Sequence, residues 1–163
     1  MEHRGDPGPC RIRALTVADA PVAAALIQAA FGRQSVETDP PSSALRETMR
    51  SVATHLAIDG GACAEIGEEM LGLVLWAQKE GGLYLGRLAV RPQSRRQGLG
   101  RALVAEAEAE ARRRGLPRLH LSARLVLADN RRLFAACGFV ELRFETHEGY
   151  AAPTSVVMEK RLV

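Results

Sequence analysis

The sequence predicts an α/β fold in one domain over residues 1–163, with a mixed, mostly antiparallel sheet of about six to seven strands flanked by about four helices. Short apolar runs typical of strands alternate along the chain with amphipathic segments typical of helices. One of these strands passes through a basic, glycine-bearing loop directly into a helix. With 47% hydrophobic and 25% charged residues, the chain can bury one sizeable core without the help of disulfide bonds.

The first predicted elements are a short alternating strand, Arg11–Leu15, and a helix that Thr16 opens. The helix covers the uncharged run Ala20–Gly32. Its core-facing residues are predicted to be Val22, Leu26 and Phe31. Because this run is too short to cross a bilayer and is preceded by Asp19, neither a membrane span nor a signal peptide is expected.

A loop over residues 32–41 leads to a second predicted helix, from Ala44 to about Ala53. The apolar face of this helix is predicted to contain Leu45, Met49 and Val52. Since long connections in compact domains are often functional, we expect this region to form a lid over the functional site.

The middle of the chain is predicted to form antiparallel strands. These strands are Leu56–Ile58, Ala62–Ile66, Leu71–Ala77 and Leu83–Val90. Glu80-Gly81-Gly82 is predicted to be the hairpin turn between the last two. The pair Arg91-Pro92 then ends the ladder, because proline cannot donate a backbone hydrogen bond.

The C-terminal part is predicted to alternate helices and strands. A helix from about Leu99 to Arg114 ends before Gly115, and a short helix is capped by Asp129 and stopped by Gly138. The predicted strands are Arg118–Ser122, Phe139–Phe144 and Thr154–Arg161.

The loop between Val90 and the long helix has the properties of an anion site. Glycines at 98 and 100 let the backbone come close to a ligand, and the first N–H groups of a helix lack partners within it. Arg95 and Arg96 can add forked contacts to phosphate oxygens. No Lys-Ser/Thr pair follows the glycines, and Leu103 occupies the third Rossmann glycine position, which excludes both familiar nucleotide loops.

The spacing Arg95-x-x-Gly98-x-Gly100 resembles the (Gln/Arg)-x-x-Gly-x-(Gly/Ala) signature of the GNAT family of N-acetyltransferases. The pair Gly138-Phe139 after a short helix resembles that family as well. The resemblance implies that the loop holds the pyrophosphate of acetyl-CoA. It also implies an acetyl-CoA-dependent N-acetyltransferase that moves the acetyl group to a primary amine of a small molecule or protein by direct attack.

The resemblance also implies particular roles for residues of this chain. The strand that ends at Val90 and the strand that begins near Arg118 are expected to splay apart and receive the pantetheine arm. Backbone N–H groups of Leu88 and Val90 would bind the thioester and the pantetheine amides, which makes Leu88 an oxyanion donor. The expected cofactor-binding residues are Leu88, Ala89, Val90, Arg95, Arg96, Gln97, Gly98, Leu99, Gly100, Arg101, Asn130 and Phe134.

The general acid is where the chain departs from the family pattern. Many members have a tyrosine where this chain has Phe134, and a phenyl ring donates no proton. Either the thiolate leaves unassisted, or Tyr84 serves, because strand alternation would place Tyr84 on the same face as Leu88. Tyr84 could equally be a half-buried packing residue. Weaker candidates are His120, Ser122, His147 and Tyr150.

Composition and charge restrict the partners. The net charge is +3 and the pI is about 9.1, but the few aromatic residues (one Trp, two Tyr, four Phe) do not interleave with the basic loop. No nucleic-acid partner is therefore expected. The three cysteines, Cys10, Cys63 and Cys137, lack metal-ligand spacing, so we expect no metal and no disulfide framework. Free thiols fit a cytoplasmic location.

Two function classes remain open from the sequence. The first is the acetyl-CoA-dependent enzyme, and the second is a non-catalytic acyl-CoA-binding or sensing module, which Phe134 favours. Loss of a general acid usually lowers a rate without abolishing it, so the enzyme is preferred. The amine acceptor, the general base, the length of the acyl group and the oligomeric state, including a homodimer, stay undetermined.

Overall fold

The computed structural model describes residues 9–33 and 37–162. Its strands are β1 (Arg11–Ala14), β2 (Gly61–Ile66), β3 (Glu69–Lys79), β4 (Gly82–Val90), β5 (Arg118–Arg124), β6 (Val140–Glu145) and β7 (Ser155–Arg161). Its α-helices are α1 (Ala20–Gly32), α2 (Met49–Ile58), α3 (Leu99–Arg113) and α4 (Ala128–Ala136). The strands form one seven-stranded sheet in the order β1-β2-β3-β4-β5-β7-β6. All strand pairs are antiparallel except β4 with β5, which confirms the predicted mixed α/β fold.

Helices cover both faces of the sheet and enclose two hydrophobic cores. On one face α1 and α2 pack against the side chains of Leu73, Leu75 and Ala89. On the other face α3 and α4 pack against Val74, Trp76 and neighbouring strands. Because β3 is buried on both faces, its sequence reads as a continuous apolar run instead of alternating.

The region before β2 differs from the sequence prediction. Residues 43–46 form one short 3₁₀ turn, and α2 begins only at Met49. The segment Leu56–Ile58, predicted as a strand, is the last turn of α2. The predicted apolar face of this helix is also wrong. Val52 is fully buried, whereas Leu45 and Met49 are exposed. Residues 34–36 of the predicted loop lie outside the described residues.

Two other local predictions need correction. In α1 the buried residues include Leu26 and Ile27, but Val22 is 48% exposed and faces away from the core. Thr16 precedes a 3₁₀ turn over residues 17–19, after which α1 begins at Ala20. Asp129 lies inside the first turn of α4, where it pairs with Arg132, so it is not the capping residue.

Strand β4 has two irregularities that shape the functional site. The register with β3 shifts between Leu75, which pairs with Arg87, and Trp76, which pairs with Leu85, so that Gly86 is an unpaired bulge residue. On its other edge β4 pairs with β5 only at two positions, Leu83 with Leu119 and Tyr84 with His120. Beyond these positions the two parallel strands diverge, which confirms the expected splay.

Candidate functional site

A cavity of about 1070 Å³ lies where β4 leaves the sheet and α3 begins. Its wall combines the end of β4, the loop before α3, and the start of α4. Residues proposed from the sequence that line it are Leu88, Ala89, Val90, Arg95, Arg96, Gly98, Leu99, Gly100, Arg101 and Asn130. Gln97 and Phe134 are not part of this wall. The cavity is large enough for an extended coenzyme.

The loop presents the N-terminus of α3 to this cavity. Gly98 has a φ of 79° and precedes the helix, and its carbonyl accepts the N–H of Ala102 at 3.1 Å. The amides of the three residues between them therefore have no acceptor within the helix. These amides and the positive end of the helix dipole favour an anion at this point.

The two loop glycines are needed for different reasons. Gly98 adopts a left-handed φ, and a Cβ built there would have no other atom within 4 Å. At Gly100, by contrast, a Cβ would come within 3.0 Å of Leu133 Cδ2. Gly100 therefore leaves room for the Leu133 side chain of α4, and it lines the cavity as well.

The arginines of the loop differ in whether their side chains bind other parts of the protein. Arg95 donates from Nη2 to the Ala30 carbonyl at 2.9 Å and from Nη1 to the Arg33 carbonyl at 3.4 Å, so it binds the C-terminal end of α1. Arg91 donates from Nε to the Met70 carbonyl at 2.6 Å. Arg96 is exposed beside the cavity and has a φ of 65°, which is uncommon for a residue other than glycine. Arg95 thus supports the cavity wall, while Arg96 can reach a ligand.

The backbone of β4 turns N–H groups toward the gap between β4 and β5. The N–H of Arg91 donates to the Leu71 carbonyl of β3 at 2.8 Å. Since successive N–H groups of a strand point to alternate edges, those of Leu88 and Val90 point away from β3 and toward β5. At these positions β5 has already diverged, so it does not pair with them.

A second cavity, of about 260 Å³, adjoins the first. The residues that line both cavities are Phe31, Leu88, Leu127 and Asn130. The second cavity is also lined by Tyr84, Arg87, Arg124, Phe134 and His147. The two cavities therefore meet at these four residues, which include Leu88 of β4.

The bulge at Gly86 changes the expected placement of Tyr84. Leu88 pairs with Val74, and its side chain packs in the core on the face of the sheet that α3 and α4 cover. Tyr84 pairs with Ala77, and its side chain lies on the opposite face. The prediction that Tyr84 and Leu88 share a face is therefore wrong, because the extra residue reverses the alternation. Both nevertheless line the second cavity, which opens where the strands diverge.

The surroundings of Tyr84 keep its hydroxyl protonated. Its ring packs edge-on against His120, with centroids 5.3 Å apart, and Lys79 Nζ lies 3.8 Å from the ring centroid. Burial raises the pKa of Tyr84 above its usual value. The hydroxyl therefore carries its proton at neutral pH and cannot act as a base there.

The other side chains considered from the sequence have mostly structural surroundings. His120 is buried, its Nε2 lies 3.0 Å from the Lys79 carbonyl, and burial lowers its pKa. Phe134 is 7% exposed and packs edge-on against Phe139 at 5.7 Å. Tyr150 donates to Asp39 Oδ1 at 2.5 Å. Among the described residues, no group of three or more His, Cys, Asp or Glu could hold a metal ion.

Sequence reasoning did not identify Phe31, Arg87 or Arg124 as site residues. Phe31 was expected only in the core, and the arginines stand in two strands without a recognisable motif. They meet because β4 and β5 diverge and because the end of α1 lies over the gap. No signal in the local sequence could have paired them.

The model of the Acetyltransferase (GNAT) family matches residues 24–139. Among solved structures, the chain is similar to the ribosomal-protein-S18-alanine N-acetyltransferase from Escherichia coli, with a TM-score of 0.74, 22% identity and 94% of each chain covered. It is similar to the PaiA N-acetyltransferase from Thermoplasma acidophilum in complex with coenzyme A, with a TM-score of 0.76, 18% identity, and 95% and 100% of the two chains covered.

A third similar structure is YncA from Salmonella typhimurium with its cofactor acetyl-CoA, with a TM-score of 0.73, 17% identity, and 96% and 95% of the two chains covered. At these identities the solved structures support the fold. No curated protein sequence matches the chain. No α-helix of the described residues has the length and hydropathy needed to span a membrane.

Proposed function

The chain belongs to the GNAT family of acetyltransferases, and on that premise we propose that it moves an acetyl group from acetyl-CoA to a primary amine by direct attack. The observation that carries the proposal is the junction of two cavities at Leu88. The larger one has the volume and the anion-binding loop that the coenzyme needs. The smaller one can hold an acceptor next to the same backbone amides.

We assign the coenzyme to the larger cavity. The pyrophosphate would lie on the amides of residues 99–101, with Arg96 supplying a charge-assisted contact. The pantetheine arm would enter the gap between β4 and β5, where Leu88 and Val90 present N–H groups. Asn130 lines both cavities and would contact the arm near the thioester. We do not assign Gln97 and Phe134 to coenzyme binding, since neither residue lines the larger cavity.

The reaction is a nucleophilic substitution at the thioester carbonyl. A neutral amine attacks the carbon, the C–N bond forms, and the negative charge that develops on the carbonyl oxygen is stabilised by the N–H of Leu88. The C–S bond then breaks, and coenzyme A leaves as a thiolate. The amine nitrogen loses one proton and the thiolate gains one, so the overall reaction is balanced. We propose Tyr84 as the donor to the thiolate.

A covalent acetyl-enzyme step is not part of the proposal. Burial raises the pKa of Cys63 to about 11, and burial also raises the pKa of Cys137, so both thiols stay protonated and weakly nucleophilic at neutral pH. Neither cysteine lines either cavity. Free thiols are also consistent with the proposed cytoplasmic location.

The proposal is tested by measuring acetyl transfer to a panel of amines, with release of the coenzyme thiol as the readout. Direct attack predicts that double-reciprocal plots at varied acetyl-CoA and amine intersect. Arg96→Ala should raise the KM for acetyl-CoA more than it lowers kcat, since the phosphates are remote from the reacting carbonyl. The matched control is Arg143→Ala, because Arg143 is 60% exposed and lies on the edge strand β6.

Two results would contradict the proposal. Parallel double-reciprocal plots would indicate a covalent intermediate and would exclude direct attack. Tight binding of acetyl-CoA without transfer to any amine would instead favour the non-catalytic acyl-CoA-binding module, for which Phe134 in the place of the family's tyrosine is the supporting observation.

A further inference from the structure

The second cavity has an unbalanced charge. Its wall includes two arginines, Arg87 and Arg124. Among the described residues, no aspartate or glutamate lines it. A wall of this kind disfavours an acceptor that carries only positive charge, because the guanidinium of Arg124, which has no salt bridge among the described residues, would repel it.

Of the two arginines in this cavity, Arg124 is the one without a salt bridge among the described residues. Its Nη1 donates to the Pro40 carbonyl at 2.6 Å, and it forms no salt bridge with a carboxylate of the described residues. Burial lowers its pKa, which means that the charged form is partly stripped of water. The carboxylate of Asp39 accepts the Tyr150 hydroxyl at 2.5 Å, and its charge acts on Arg124 without a direct salt bridge between the two side chains. Within the described parts of the chain the other N–H groups of this guanidinium have no acceptor, so a ligand can accept from them.

Arg87 lies on the facing strand and is held in place more firmly. It donates from Nη1 to the Gly86 carbonyl at 3.0 Å and from Nη2 to the Ser43 hydroxyl at 3.0 Å, while Glu47 Oε1 lies 3.5 Å from Nη2. Its Nε is buried and has no hydrogen-bond partner among the described residues. Arg87 is therefore held in place and partly neutralised by Glu47, which leaves Arg124 as the guanidinium of this cavity that can bind an anion.

The two arginines stand on the two strands that diverge. Arg87 belongs to β4 and Arg124 to β5, and both line the cavity that opens between these strands. The same cavity reaches Leu88, beside which the acetyl group would be transferred. A molecule bound here can thus contact a guanidinium at one end and the thioester at the other.

We propose that the second cavity binds a small amine that also carries an anionic oxygen group, a carboxylate or a phosphate, and that Arg124 holds this group. The proposal rests on the acetyl transfer proposed above and names the class of its acceptor. Guanidinium groups bind both anions through paired, charge-assisted hydrogen bonds. The volume of about 260 Å³ fits a molecule of metabolite size rather than a folded protein surface.

The test uses pairs of amines that differ in the anionic group. β-Alanine is compared with β-alaninamide, and phosphoethanolamine with ethanolamine. For each amine we measure kcat/KM for acetyl transfer and, by calorimetry, binding to the protein saturated with coenzyme A. The anionic member of at least one pair should bind and react about tenfold better than its neutral partner. The pair with the larger ratio distinguishes carboxylate from phosphate.

The variants are Arg124→Gln and Arg124→Lys, with Arg161→Gln as the matched control. Arg161 lies at the other end of the paired strands β5 and β7 and is 79% exposed. Arg124→Gln should bring the anionic-to-neutral ratio close to one while leaving the KM for acetyl-CoA unchanged. Arg124→Lys keeps the charge without the fork and should keep part of the ratio. Arg161→Gln should keep the full anionic-to-neutral ratio. Melting temperatures verify that each variant folds.

The outcomes separate the two proposals. A wild-type protein without a preference for the anionic amines, or a preference that survives in Arg124→Gln, overturns the anion site even if acetyl transfer occurs. If no amine is acetylated but the binding preference exists and depends on Arg124, the anion site stands and the proposed acetyl transfer fails.

Discussion

At the scale of single residues, the loop before α3 depends on one backbone conformation. Gly98 has a φ of 79° with open space around a built Cβ, so a side chain there is opposed by backbone strain and not by a steric clash. Arg96 already tolerates a positive φ of 65° in the same loop. The amides that face the larger cavity are therefore set by two left-handed residues separated by one position.

We predict that Gly98→Ala lowers the free energy of unfolding by roughly 1 kcal/mol and raises the KM for acetyl-CoA, because the strain shifts the amides of the loop. Gly67→Ala is the matched control, since Gly67 has a φ of 60° with equally open space but lies between β2 and β3. Urea unfolding and initial rates check both variants. If Gly98→Ala loses as much stability as Gly67→Ala but leaves the KM for acetyl-CoA unchanged, the loop does not hold the coenzyme.

The hydroxyl of Tyr84 is the second residue-scale question. Tyr84→Phe removes one oxygen and almost no volume, and we predict that it lowers kcat by at least about tenfold while the KM for acetyl-CoA stays constant. The chain has only two tyrosines, and Tyr150→Phe removes the same hydroxyl from a residue that lines neither cavity. Because that hydroxyl donates to Asp39 near Arg124, both variants are compared with a neutral amine as the acceptor. If Tyr84→Phe retains the parental kcat from mildly acidic to mildly alkaline pH, Tyr84 is a packing residue and the thiolate leaves unprotonated or takes its proton from water.

At the scale of elements, the start of α2 is decided by a reciprocal cap. The Thr48 hydroxyl accepts the Ser51 N–H at 3.1 Å, and the Ser51 hydroxyl accepts the Thr48 N–H at 2.9 Å. These bonds satisfy two backbone donors that would otherwise lack partners at the helix start. They explain why α2 begins at Met49 instead of at Ala44.

We predict that Thr48→Ala lowers the free energy of unfolding by about 1 kcal/mol, because the N–H of Ser51 loses its acceptor. Thr54→Ala provides the same substitution in the interior of α2, where the hydroxyl bonds only to the Arg50 carbonyl on an exposed face. There alanine should be neutral or slightly stabilising. Chemical unfolding of both variants is the measurement, and equal effects at the two positions would exclude the capping role.

At the scale of the whole molecule, an ion network joins the first strand to the rest of the fold. Arg13 donates from both Nη atoms to the Asp19 carboxylate, each at 2.9 Å, and from Nε to Glu65 Oε2 at 3.0 Å. It thereby links β1, β2 and the entry to α1. The hydrogen bonds from Arg13 lower the pKa of Asp19 to about 2.

A lowered carboxyl pKa means that the ionised form stabilises the folded state. This stabilisation is complete above the unfolded pKa of about 4 and is lost as the pH falls through about 2. We predict that Asp19→Asn lowers the free energy of unfolding by roughly 2 kcal/mol at neutral pH, and that the difference from wild type shrinks between about pH 4 and pH 2. Urea unfolding of both proteins at several pH values measures this difference in the free energy of unfolding.

The control for this prediction is Asp129→Asn, because Asp129 is exposed and pairs with Arg132 only at the surface. Such surface pairs contribute little, so its effect at neutral pH should be small. A difference between Asp19→Asn and wild type that persists unchanged at about pH 2 would show that the carboxylate charge is not the stabilising feature.

The sequence by itself determined the fold class, most strands, α1, α3 and the position of the glycine-bearing loop before α3, because these depend on local periodicity and on glycines adjacent to a helix start. It failed at α2, where a cap that spans only four residues outweighed the apolar pattern. It also placed Asp129 at the cap of α4, because aspartate is common at helix caps. In the structure α4 begins at Ala128, and Leu127 is the capping residue.

Only the tertiary structure decided which side chains meet at the site. Strand alternation predicts a shared face for Tyr84 and Leu88, but the bulge at Gly86 depends on the register with β3 and reverses the faces. Arg87 and Arg124 come together because β4 and β5 pair at two positions and then diverge. Register and divergence are set by contacts between distant segments, so no local pattern in the chain contains them.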